Sequence, residues 1–131
     1  MELLLDTHIW VWSQDQAEKL SPRVAQEIRS AKNKLWISPI SIWEIQMLEE
    51  KGKLRIREGV SNWIGRALQA LPMQEAPVTF QVAQQVRNLG LSHRDPADRL
   101  IAATASVFDL TLVTADERLM RSRSWKVLPN R

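Results

Sequence analysis

The strongest constraint on this chain is an alternation of short apolar runs with longer helical segments. Residues 2–5, 35–37, 110–113 and 126–128 are apolar runs of strand length, and residues 75–78 form a weaker one. Segments with helical spacing of their apolar residues lie between them. Successive strand–helix units pair their strands in parallel and lay helices on both faces of the sheet. The expected class is therefore α/β.

Local signals mark where the helices start and stop. Ser21-Pro22 and Ser38-Pro39 each put an N-cap serine before a proline at the first helical position. The first of these helices should run to about residue 31. The second carries Ile42, Trp43, Ile45, Met47 and Leu48, with Gly52 as its stop. Residues 7–12 read as a short helical turn, 61–71 as a helix bounded by Pro72, and 79–88 as a helix ended by Leu89-Gly90. Asp95-Pro96 opens the most apolar helix, from Leu100 to Phe108, which should be buried. Thr114-Ala115-Asp116-Glu117 reads as a capping box, with Thr114 as N-cap.

At 131 residues the chain has the length of one domain and can bury a core without disulfides or a structural metal. No internal repeat or linker interrupts it, so residues 1–131 are expected to form a single domain. The absence of cysteine excludes disulfides, thiolate metal sites and cysteine nucleophiles. It also fits a cytoplasmic protein. The N-terminus lacks a basic, apolar signal pattern, and no apolar stretch is long enough to span a membrane. A net charge of +3 is compatible with a polyanionic partner. Basic residues gather late, at Arg94, Arg99, Arg118, Arg121, Arg123 and Lys126. The six tryptophans sit mostly in apolar patterns and are expected to pack rather than to stack on bases.

In an open parallel sheet, sites form outside the carboxyl ends of the strands. Asp6 directly follows the first strand, and Asp116 follows the 110–113 strand. Glu44 lies in the second turn of the helix after the 35–37 strand, and Asp98 in the first turn of the helix opened by Asp95. Each acid also has an ordinary structural reading. Asp6 can cap the turn at Thr7, Glu44 can be a solvated helix residue, Asp95 can be an N-cap, and Asp98 and Asp116 can complement helix dipoles. Those readings do not explain why the acids collect on one edge. Clustered carboxylates repel one another unless a cation joins them, and an all-oxygen site suits Mg²⁺ or Mn²⁺. Such an ion lowers the pKa of water and neutralises charge on a phosphate, which points to phosphodiester hydrolysis. His8 and His93 are the only histidines, and no Ser–His–Asp pattern or glycine-rich phosphate loop is present. Arg94 and Arg99 flank Asp98 and are candidate phosphate contacts.

These motifs resemble the PIN-domain family. Leu3-Leu4-Leu5-Asp6-Thr7-His8 is similar to its opening motif, and Ser38-Pro39-Ile40-Ser41-Ile42-Trp43-Glu44-Ile45 to its second. His93-Arg94-Asp95-Pro96-Ala97-Asp98-Arg99-Leu100-Ile101-Ala102 resembles the third, and Leu112-Val113-Thr114-Ala115-Asp116 the fourth. The resemblance covers essentially the whole chain. It implies a three-layer αβα sandwich with a parallel sheet of about five strands. It makes Asp6, Glu44, Asp98 and Asp116 the metal-binding catalytic acids, with Thr114 as a supporting neighbour and Asp95 as an accessory acid. Short free-standing members are VapC-type toxins. The resemblance thus implies a Mg²⁺- or Mn²⁺-dependent endoribonuclease of a type II toxin–antitoxin system, a homodimer acting on RNA and held by a VapB-like antitoxin. The antitoxin is expected to set an Arg or Lys against the acids, walled by the helices bearing Trp10, Trp12 and residues 43–48. Two other readings stay open: a noncatalytic RNA- or protein-binding module of the same fold, and a phosphatase with an aspartate nucleophile. The phosphatase pattern wants a second Asp where His8 stands.

Overall fold

The computed structural model describes residues 1–90, 95–121 and 124–131. The strands are β1 (Glu2–Leu5), β2 (Lys34–Ile37), β3 (Gln74–Glu75), β4 (Thr111–Thr114) and β5 (Lys126–Pro129). The helices are α1 (Thr7–Asp15), α2 (Pro22–Arg29), α3 (Pro39–Glu50), α4 (Val60–Ala70), α5 (Phe80–Gln85), α6 (Pro96–Phe108) and α7 (Glu117–Met120). Short 3₁₀ turns occupy Ala17–Lys19 and Val86–Leu89. The strands form one sheet in the order β3-β2-β1-β4-β5, and every neighbouring pair is parallel. This agrees with the architecture expected from the sequence.

The central strand shows why three layers form. Successive side chains on a strand point to opposite faces. Leu3 and Leu5 accordingly pack with Ile9, Trp10, Val24, Ile28, Ile45 and Trp63. Leu4 packs with Val82, Ile101, Ala102 and Leu119 on the other side. All three leucines have 0% exposure. A run apolar on both faces is stable only when helices cover both, and burying each leucine is worth about 1.5–3 kcal/mol.

The element boundaries follow from particular residues. Ser21 and Ser38 cap α2 and α3 by accepting hydrogen bonds from the Val24 and Ile40 amides, with proline at the helix start in both. Gly52 follows α3 with φ +70°. β4 begins one residue later than the apolar run, at Thr111. Asp109 takes a left-handed φ of 55°, and the Leu110 amide turns back to the Ala105 carbonyl at 2.9 Å. That Schellman closure keeps Leu110 with the helix. β3 is shorter than expected and ends at Glu75. The Ala76 amide still reaches the Ile37 carbonyl at 2.9 Å, but Pro77 has no N–H with which to extend the ladder. The Thr114 capping box does not form. Thr114 stays in β4, and Asp116 itself caps α7 by accepting from the Arg118 amide at 2.9 Å.

Of the six tryptophans, Trp10, Trp63 and Trp125 are buried, Trp12 and Trp36 are half-buried, and Trp43 is 49% exposed. Trp10 and Trp63 meet edge to face at 5.1 Å, and the Trp63 Nε1–H donates to Asp15 Oδ2 at 2.7 Å. Among the described residues no helix is long and apolar enough to cross a membrane. Trp63→Ala should cost about 3–5 kcal/mol of stability, whereas Trp43→Ala should stay within about 0.5 kcal/mol. Urea unfolding of the two variants against the parent checks this; equal shifts would show that Trp63 is not a core anchor.

Candidate metal centre

The connectivity makes a crevice between β1 and β4. From β1 the chain builds outward through β2 to β3, then crosses back to place β4 on the other side of β1. Ligands of open α/β sheets bind where the strand order reverses in this way. Asp6 leaves β1 at this point, and its amide donates to the Val113 carbonyl of β4 at 3.0 Å. Its carboxylate is fixed from two sides. Oδ1 accepts from the Thr7 amide at 2.9 Å, capping α1, and Oδ2 accepts from the Thr114 hydroxyl at 2.6 Å. The same Thr114 oxygen accepts from the Asp116 amide at 3.0 Å. One buried threonine thus aligns the acids at the ends of two strands.

Helix starts bring in the rest. Asp95 caps α6, its Oδ1 accepting from the Ala97 amide at 3.0 Å, and Asp98 follows in the first turn. Glu44 descends from the second turn of α3. One ligand atom each from Glu44, Asp95 and Asp98 lie within 4.8 Å of one another. Asp6, Glu44, Asp95, Asp98 and Asp116 all line one open pocket of about 360 Å³, together with His8, Trp12, Ala115 and Arg118. Asp95 therefore combines the capping role with a place in the carboxylate group. Arg118 pairs with Asp116 through two bonds, Nε to Oδ1 at 3.1 Å and Nη2 to Oδ2 at 2.9 Å.

His8 is exposed and also lines the pocket. Arg99 is half-buried on α6 and is not among the lining residues given above, and its Nε is buried with no partner among the described residues. His93, Arg94 and Arg123 lie outside the described residues. Trp12 was expected only on a helix walling an antitoxin segment, and Arg118 only as one of the late basic residues. Their spacing carries no motif, and they reach the pocket only through the packing of α1 and the turn of α7.

Charge crowding shows in the acid strengths. Burial, then repulsion from Asp6, Asp95, Glu44 and Asp116, pushes Asp98 up to about 8. Burial also raises Asp6 against the opposing pull of the Thr114 hydroxyl, and raises Glu44 against a hydrogen bond from Thr7. A set of oxygen-only donors that hold protons this tightly suits a hard divalent cation, which would replace those protons.

Asp98 binds its proton more tightly in the folded chain than in the unfolded one, where its value is near 3.8. Its contribution to stability is therefore complete below about pH 4 and is lost as pH rises through about 8. In EDTA, Tm should fall between about pH 5 and about pH 8, and Asp98→Asn should flatten that slope and raise Tm at the alkaline end. Thermal unfolding followed by circular dichroism decides it; an unchanged profile in the variant would place the repulsion elsewhere.

The PIN domain family model matches residues 3–123. Ribonuclease VapC22 of Mycobacterium tuberculosis (strain ATCC 25618 / H37Rv) is 34% identical over 122 residues, covering 92% of this chain and 92% of that protein. Among solved structures, VapBC2 from Rickettsia felis bound to a promoter DNA fragment matches with TM-score 0.75 and 20% identity over 98% of each chain. DNA-bound VapBC from Salmonella typhimurium matches with TM-score 0.69 and 18% identity, over 100% of this chain and 99% of that one. The structural likenesses establish the fold, and the family match with the sequence relative establishes descent: this chain belongs to the PIN-domain family, on its VapC branch.

Proposed function

We propose that this protein is a metal-dependent endoribonuclease, the toxin of a type II toxin–antitoxin pair acting in the cytoplasm. The observation that carries the reading is the convergence of five carboxylates on one pocket at the sheet's switch point, in a chain with a ribonuclease relative at 34% identity. Asp6, Glu44, Asp98 and Asp116 are the proposed catalytic acids and metal ligands, and Asp95 joins them. A bound Mg²⁺ or Mn²⁺ would polarise the phosphate and make water nucleophilic at neutral pH.

The chain's own groups do the positioning. Thr114 holds Asp6 Oδ2 in one orientation through its 2.6 Å hydrogen bond, and the Thr7 amide holds Oδ1. Arg118, 64% exposed at its side chain, can turn its guanidinium from Asp116 to an incoming phosphate. Arg99 and Arg94 are the other proposed phosphate contacts. The expected products carry a 5′-phosphate and a 3′-hydroxyl. A second reading has one observation in its favour: His8 lines the pocket and could deprotonate a ribose 2′-hydroxyl. That route needs no metal and leaves a 2′,3′-cyclic phosphate.

The proposed partners are a VapB-like antitoxin and a second copy of the chain. An antitoxin Arg or Lys set among the acids would neutralise them as a metal does. Trp10 has 0% exposure and cannot wall such a segment, but Trp12 and Trp43 are accessible.

Cleavage of single-stranded RNA should stop in excess EDTA and in Asp6→Asn, and Thr114→Val should slow it about 10- to 100-fold. Gel analysis of end-labelled RNA with product-end mapping checks all three. Activity that persists in EDTA, or cyclic phosphate ends, would overturn the metal mechanism, and a folded protein that cuts no RNA would favour the noncatalytic module.

A further inference from the structure

One wall of the acid pocket is aromatic. Trp12 and His8 line it beside Asp6 and Glu44. Four residues apart on α1, they share one helix face. Their ring centroids lie 5.9 Å apart with 54° between the planes. Trp12 is half-buried against the core, and His8 is exposed. The Lys19 ammonium stands 5.5 Å from the Trp12 ring centroid. Trp10, two residues earlier on α1, has 0% exposure and shows the contrast with a purely packing tryptophan.

The chemistry of this wall differs from that of the acids. A nucleic acid backbone is repelled by carboxylates, whereas the face of a base carries no charge and can stack on an indole whatever its sequence. The pocket, at about 360 Å³, lies at the low end of the roughly 300–1,000 Å³ range of small-ligand sites, so it suits one splayed nucleotide.

We propose that Trp12 is a base-stacking residue that positions single-stranded RNA. A nucleobase next to the phosphate at the acids lies on the indole, His8 borders it, and Lys19 swings from the ring to the adjoining phosphate. The inference rests on the ribonuclease reading, and Trp12 acts by holding substrate rather than by touching the reacting atoms.

The test is binding, read by fluorescence anisotropy with Ca²⁺ replacing Mg²⁺. The probes are a short mixed-sequence single-stranded RNA and the same ribose–phosphate backbone without bases. The parent protein should prefer the base-bearing RNA by about tenfold or more. Trp12→Ala should lose that preference while binding the abasic backbone as before, and Trp12→Phe should keep most of it. Trp12→Leu repeats the measurement if the alanine variant does not fold. Equal weakening of both probes in a folded variant, or an unchanged preference, overturns the stacking role. If the parent prefers the base-bearing RNA but cuts none in Mg²⁺ or Mn²⁺, the ribonuclease reading alone fails. If it binds neither probe, both fail.

Discussion

Repulsion among carboxylates is the constraint on which the rest of this molecule depends. Five acids face a pocket of about 360 Å³, and among them Asp98 holds its proton up to about 8. Left to themselves, such groups would drive the loops apart. They stay together because each is attached to something rigid. Asp6 is tied to β1, β4 and the first amide of α1. Asp95 and Asp98 sit at the start of a helix whose following residues, Ile101 to Ala105, are buried. The apolar core on both faces of the sheet supplies the free energy that opposes the repulsion.

Thr114 is the smallest part with the widest reach. Its hydroxyl donates to Asp6 and accepts from the Asp116 amide, so neighbouring strands are keyed to one another at the edge where the acids emerge. A buried hydroxyl with both its donor and acceptor roles filled is directional, and it leaves the Asp6 carboxylate one orientation. Valine has nearly the same shape but neither role, so the position tests orientation rather than packing.

Much of the fold and of the acid set could be read from the sequence because the signals were local. Strand–helix alternation fixes a parallel sheet, and the residue after a strand in such a sheet has one place to go. Asp6 and Asp116 follow from that rule, and Ser21 and Ser38 mark their helices by the serine–proline pair. What could not be read depended on distant contacts. The spacing of Thr114 and Glu117 fits a capping box, but pairing with Pro129 of β5 holds Thr114 extended and passes the cap to Asp116. Trp43 looks like a core residue by composition, yet the face of α3 that carries it is left exposed. Arg118 and Trp12 reach the pocket through tertiary packing, which no spacing announces. Pro77 was visible, but its effect on β3 appears only once β2 is known to be its neighbour.

The place of β1 in the sheet has a consequence for how the molecule comes into being. The earliest strand in the chain is the middle one, and its partner β4 begins at Thr111. Asp6 and the hydroxyl that orients it are separated by 108 positions. Contacts of such long range form late and lie outside the reach of a partly made chain. During synthesis the growing polypeptide can form α1 to α4 against β1 and β2, but the groups that define the pocket are not yet joined. The pocket is thus assembled only as the last strands fall into place beside the first.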